Sequence, residues 1–200
     1  MRRTVRQRLW RQGLLICVVA TAALAATASA NVPRFSYKRP SIVPGKAMGG
    51  VRVGMTEHQA KAHWGAPDRC FARAGVPIDC QYKTNQHVVG GGTIYDPFAD
   101  FYVGPSGRVV AIQVGDPANA AVSPKVHRLR TSKGIKIGSS MAAARHRYGL
   151  PAPGGGEAGL SRGELKNKNR CTLFYAPEAP YKTITSIEVG ICRSQIGLYF

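Results

Sequence analysis

Acidic residues are scarce in this chain: 10 Asp and Glu stand against 28 Lys and Arg in 200 residues, a formal net charge of +18. There is no C-x-x-C pair and no H-E-x-x-H run, so the usual sequence marks of a zinc site are missing. Gly90-Gly91-Gly92-Thr93 lacks the Gly-Lys-Ser/Thr ending of a phosphate loop, and Gly104-Pro105-Ser106-Gly107-Arg108 departs from the G-x-S-x-G nucleophile elbow. The 23 Gly and 13 Pro follow no triplet, which excludes collagen. Beyond residue 30 no run is apolar enough to span a bilayer. A hydrophobic share of 44% is ordinary for a folded chain. The length suits one or two small domains.

Residues 1–30 read as a secretory signal. Arg2, Arg3, Arg6, Arg8 and Arg11 form a positive n-region, Leu14 to Ala26 is apolar, and Ala28-Ser29-Ala30 has the small-x-small pattern of a cleavage site. The other reading of this segment is a retained N-terminal membrane anchor. Leu14-Leu15-Ile16-Cys17 lacks the small residues of a lipoprotein box. Cleavage after Ala30 leaves 23 basic and 10 acidic residues, a net of +13. The basicity therefore belongs to the exported part. The expected location is secreted or cell-envelope associated, with at most peripheral membrane contact after cleavage.

Without Cys17, four cysteines remain: Cys70, Cys80, Cys171 and Cys192. An even number in an exported chain points to two disulfides, and four cysteines allow three pairings. Cys70 and Cys80 sit at the open ends of two short candidate strands about an Ala74-Gly75 turn. Cys171 and Cys192 flank a second candidate hairpin. These placements favour 70–80 and 171–192.

The chain also repeats itself. Gly50 to Pro67 aligns without gaps on Gly134 to Pro151. Gly50/Gly134, Gly54/Gly138, Ala60/Ala144, Gly65/Gly149 and Pro67/Pro151 are identical, and Trp64/Tyr148 and Thr56/Ser140 are like for like. In each copy a short extended Val-x-Val or Ile-x-Ile leads to a helix capped by Thr56 or Ser140. Gly65 or Gly149 ends the helix and Pro67 or Pro151 blocks its restart. Phe101-Tyr102 and Val109 to Gly115 then read as a hairpin, matched by Phe174-Tyr175 and Thr183 to Gly190. The expected fold is α+β: two tandem modules, each a short helix packed on a small antiparallel sheet. The boundaries are 31–47 for an N-terminal linker, 48–121 for the first module, 122–133 for a basic linker and 134–200 for the second. Pro33 to Met48, Asp116 to Lys125 and Pro151 to Lys168 read as loops.

The string Gly-hydrophobic-basic-hydrophobic-Gly-Met-Thr, a short helix and then Trp/Tyr-Gly-x-Pro resembles the repeat of the β-lactamase-inhibitory protein family. It is also similar to the single domain of small-protein-A-type outer-membrane assembly lipoproteins. The resemblance covers 50–67, 101–115, 134–151 and 174–190. It implies helix-on-sheet modules in tandem, a disulfide in each, and a concave sheet surface that grips an enzyme. No inhibitory residue maps onto this chain. Asn31 stands where the lipoprotein relatives carry an acylated Cys.

Nothing in the residues points to catalysis, a cofactor or a metal. His58, His63, His87, His127 and His146 read as exposed helix and loop residues. Asp96 and Asp100 read as loop and strand caps rather than as an acid–base pair. Trp64 and Tyr148 read as core, because the same slot is aromatic in both copies. In each pair Phe101-Tyr102 and Phe174-Tyr175, neighbours on a strand point to opposite faces. The outer aromatics make a candidate surface for a protein partner. Lys125, Arg128, Arg130, Lys133 and Lys136, and then Lys166, Lys168 and Arg170, form two basic clusters suited to polyanions. Export speaks against nucleic acid. The expected function is non-enzymatic: a binding module docking on a protein through its sheet, with enzyme inhibition as one form. The alternative is an envelope protein retained by an anionic cell-wall polymer or lipid through its basic linker.

Overall fold

Two hydroxyls open the two matched helices. The computed structural model describes residues 35–73, 76–83, 88–89, 93–94, 98–116, 124–151, 160–177 and 183–192. The signal segment with Cys17, the Ala74-Gly75 turn, His87, Gly90 to Gly92 and Asp96 lie outside the described residues. Helix α1 (Glu57–Trp64) starts at Thr56, whose Oγ1 accepts the Gln59 N–H at 3.3 Å, while Gln59 Oε1 accepts the Thr56 N–H at 2.9 Å. This is a complete capping box. Helix α3 (Met141–Tyr148) starts at Ser140, whose Oγ accepts the Ala143 N–H at 3.1 Å. Gly65 at φ +89° and Gly149 at φ +64° close the two helices, in a region of φ that a side chain disfavours.

Seven strands, numbered in chain order, form one antiparallel sheet. Its order is β11 (Leu160–Asn167), β12 (Arg170–Pro177), β13 (Ser186–Ile191), β9 (Val109–Gly115), β8 (Phe98–Val103), β5 (Val76–Lys83) and β4 (Arg69–Arg73). In place of the two expected sheets there is one: β9 and β13 pair directly, with Val189 opposite Ile112 and Glu188 opposite Gln113. The physical reason is that each small sheet alone leaves an edge of unpaired N–H and C=O groups, and joining the edges satisfies both. A second sheet has the order β10 (Arg130–Thr131), β1 (Ser41–Val43), β2 (Ala47–Met48), β3 (Val51–Arg52), with β10 parallel to β1. A ribbon pairs β6 (Val88–Val89) with β7 (Thr93–Ile94), and α2 (Pro124–Arg128) is a short turn of helix. Among the described residues no helix is long and apolar enough to cross a membrane.

Both helices contribute to the core on one face of the large sheet. Ala60 and Trp64 from α1 and Met141 and Ala144 from α3 are buried in the same cluster as Tyr82, Phe101, Ile112, Phe174, Ile187 and Val189. The segments leading into α1 and α3 are held by matching pairs of backbone bonds. Gly54 N–H donates to Val109 O and Val109 N–H to Met55 O, both at 2.7 Å; Gly138 N–H donates to Ile184 O and Ile184 N–H to Ser139 O, both at 2.8 Å.

Three segments expected as loops or linker carry structure. Within Pro33 to Met48, Phe35 and Ile42 are buried and β1 and β2 form. The 122–133 stretch holds α2 and β10, and buries Val126 and Leu129 in the same core. Leu160 to Asn167 is an edge strand. Its pattern is masked because Gly163 occupies an inward slot where a Cβ would meet Met141 Sδ at 3.0 Å and Leu150 Cδ1 at 3.1 Å. Ile135 and Ile137, expected to be extended, are buried without forming a strand.

Candidate functional site

The four aromatics expected from sequence to form a docking surface are buried. Phe101 and Phe174 are fully buried in the main core, and Tyr102 and Tyr175 are each only 7% exposed. The strand alternation holds, but Tyr102 and Tyr175 lie within small buried clusters, with Ala111 and with Cys171, Leu173 and Cys192. Their hydroxyls are occupied within the sheet. Tyr102 donates to Gln113 Oε1 at 3.3 Å and Tyr175 to Glu188 Oε2 at 3.3 Å, while Gln113 Nε2 donates to Ser186 Oγ at 3.0 Å.

The same face gathers acidic groups. Asp79 pairs in register with Tyr102, Asp100 with Gln113, and Gln113 with Glu188. Burial, then the neighbouring Asp79 carboxylate, hold the Asp100 carboxyl well above the usual range; the Tyr82 N–H and Arg69 pull the other way. Burial also pushes the Tyr102 phenol up, helped by Asp100, Asp79 and Glu188. Asp100 Oδ1 has no hydrogen-bond partner among the described residues. Asp116 is buried elsewhere, 2.7 Å from His127 Nε2. His127 is therefore a partner of a buried carboxylate rather than a free loop residue.

Burial sorts the charges by sign. Of the seven acidic residues whose side chains are described, Asp100, Asp116 and Glu188 are buried, Glu57, Asp79 and Glu164 half-buried, and Asp68 exposed. Fourteen described Lys and Arg are exposed, among them Lys125, Arg128, Arg130, Lys133, Lys136, Lys166 and Lys168. Two of the linker cations are already engaged: Lys125 Nζ donates to Phe35 O at 2.7 Å, and Lys133 lies over the Tyr148 ring, 4.8 Å from its centroid.

The second basic cluster is drawn into a groove. The β1–β2 turn, β3 and the β11–β12 hairpin enclose about 520 Å³, lined by Pro44, Gly45, Lys46, Arg52, Val53, Asn167, Lys168, Asn169 and Arg170. Four of the nine lining residues are cationic and none is acidic. Gly45 N–H donates to Thr172 Oγ1 at 2.7 Å, Arg170 Nη1 to Val53 O at 3.3 Å, and Cys192 N–H to Asn169 O at 2.9 Å. Lys166 is exposed on β11 and does not line the groove. Lys46 and Arg52 were not singled out from sequence. Arg52 sits in the basic slot of the repeated motif, but nothing local marks it as a partner of a hairpin more than a hundred residues away.

Cys70 is bonded to Cys80 and Cys171 to Cys192. Glu57 lies near the first disulfide and Glu164 near the second. Bonded sulfurs carry no thiolate to ligate a metal.

No family model matches the chain, and no curated protein matches it. Solved structures do. An extracellular protein containing an SCP domain from Bacillus anthracis str. Ames is similar with a TM-score of 0.46 and 11% identity, over 71% of this chain and 45% of that one. A cysteine-rich secretory protein from Staphylococcus aureus subsp. aureus Mu50 is similar with a TM-score of 0.48 and 13% identity, over 81% of this chain and 52% of that one. The chain spans about half the length of these two structures. The expected kinship is corrected here: these neighbours are SCP-domain and cysteine-rich secretory proteins, not β-lactamase-inhibitory proteins or small-protein-A-type lipoproteins. The short motif Gly-x-x-x-Gly, helix, Gly-x-Pro specifies a capped helix and its stop, which is a local device and not a family signature.

Proposed function

We propose that the protein is exported and works without catalysis, retained at the cell envelope by an anionic polymer or lipid surface. One observation carries this reading: among the described residues three acids are buried and only one is exposed, while fourteen Lys and Arg are exposed, so the outward-facing charge there is strongly positive. The signal-like first thirty residues and the two disulfides support export. Protein docking through Phe101, Tyr102, Phe174 and Tyr175 is the weaker reading, because burial withdraws those rings from a partner. A duplicated helix-and-sheet unit is our reading of the two halves, supported by their matching caps and their matching backbone ties.

The test is co-sedimentation of the purified protein with its own envelope fraction at low and high salt. Retention by charge gives recovery at about 20 mM salt that is largely lost by about 500 mM, where the screening length falls several-fold. Recovery that is unchanged by salt favours a protein partner. Recovery at neither salt removes both readings.

A further inference from the structure

Resting on that reading, we propose that the groove between the β1–β2 turn and the β11–β12 hairpin is a binding site for a phosphate-bearing linear chain. Lys46 and Arg52 stand on one wall, and Lys168 and Arg170 on the other, together with Asn167 and Asn169 of the same hairpin. The two walls come from opposite ends of the chain and are held together by fixed contacts. Gly45 N–H is bonded to Thr172 Oγ1, and Arg170 is anchored on Val53 O with guanidinium N–H groups to spare. The two walls are therefore joined before any ligand arrives, and the ordering cost of binding falls on the exposed side chains of Lys46, Arg52 and Lys168.

The ligand class follows from the lining. There is no aromatic ring in the groove to stack a sugar or a base, and no carboxylate to compete for the cations. Recognition is left to charge and hydrogen bonds. A carboxylate offers two oxygens in one plane and suits a single guanidinium fork, whereas a phosphate directs its oxygens several ways and can be held from two walls at once. Four cations around one groove call for charge at every repeat of the ligand.

Lys168 adds a second, independent observation. It is the one non-glycine residue with positive φ among those described, at +54°, in the two-residue turn between the paired Asn167 and Arg170. Glycine is the unstrained choice there. A strained backbone that places a cation at the mouth of a groove trades stability for a site.

Calorimetric titration of the purified, disulfide-bonded protein tests this with three probes: linear inorganic polyphosphate, poly(glycerol phosphate) and polyglutamate. Three variants accompany it: Lys46→Gln with Lys168→Gln, Arg128→Gln with Lys136→Gln as a charge-matched control, and Lys168→Gly. The groove pair should weaken polyphosphate binding by about tenfold or more and the control pair by less than about threefold. Lys168→Gly should lower affinity while raising the melting temperature, which separates binding from folding. Poly(glycerol phosphate) binding as well as polyphosphate identifies the phosphodiester polymer as a source of the shared chemistry; binding of polyphosphate alone identifies the free polyanion. Equal weakening by both variant pairs overturns the groove and leaves general charge retention standing. Polyglutamate binding as tightly as the phosphate chains overturns the phosphate assignment. No binding of any probe by the unaltered protein overturns the groove, while the retention reading stands or falls on the co-sedimentation.

Discussion

The ring of Tyr148 stacks on Phe174 with centroids 5.9 Å apart, and at the equivalent helix end Trp64 meets Phe101 edge-on at 6.4 Å. The two contacts join the last turn of each helix to the matching strand of the sheet, but they are not equally deep. Trp64 also touches Phe35 and Tyr82 and donates its indole N–H to Gly49 O at 3.3 Å, whereas Tyr148 is half-buried. Trp64→Ala should cost about 3–5 kcal/mol of stability, and Tyr148→Ala distinctly less. Urea unfolding reads both, and equal losses would show the two slots energetically alike.

Asp100 sets a pH dependence. Its folded-state pKa is raised by burial and by Asp79. Between the ordinary carboxylate pKa of about 3.9 and the raised value, the unfolded chain is ionised and the folded chain holds the proton. Stability from this group therefore falls as pH rises through that window. Asp100→Asn removes the titration and should stabilise the protein more at pH 7 than at pH 4. Denaturant midpoints at the two pH values check it; a larger gain at pH 4 contradicts the assignment.

Gly163 lets α3 sit close to β11. A Cβ there meets Met141 Sδ at 3.0 Å and Leu150 Cδ1 at 3.1 Å. Gly163→Ala should destabilise by about 1–3 kcal/mol. Met141→Ala in the same chain should recover part of that, a coupling that a double-mutant cycle measures. Strict additivity would place the cost elsewhere.

The two disulfides should differ in worth. Cys171–Cys192 closes a sequence separation of 21 and Cys70–Cys80 one of 10. Loop entropy makes the longer closure more stabilising by about 0.6 kcal/mol. The Cys192 N–H to Asn169 O bond lies beside the longer bridge, so its loss also loosens the hairpin of the basic groove. Replacing each pair by Ser in turn and comparing melting temperatures tests the order; a larger drop for the 70–80 pair reverses it.

Much of the local structure was legible in the chain. Thr56 and Ser140 as caps, Gly65 and Gly149 as stops, and the hairpins of Phe101 and Phe174 depend on groups within a few residues of each other. Short-range hydrogen bonds and backbone preference are enough to write them. Leu160 to Asn167 was not legible, because Gly163 breaks the apolar alternation for the sake of a helix that packs on it. The rings of Tyr102 and Tyr175 point away from the core as strand period requires, yet alternation says nothing about whether the second face is open.

Charge, cysteine number and the two helix-and-hairpin passages follow from the residues themselves, because each is a matter of composition or of near neighbours. The joining of β9 to β13, the burial of Asp100, Asp116 and Glu188 while Lys125, Lys133, Lys136, Lys166 and Lys168 stay exposed, and the meeting of Lys46 with Lys168 are decided only when distant segments pack. Edge pairing and desolvation depend on which surfaces close on each other, and no window along the chain contains that information.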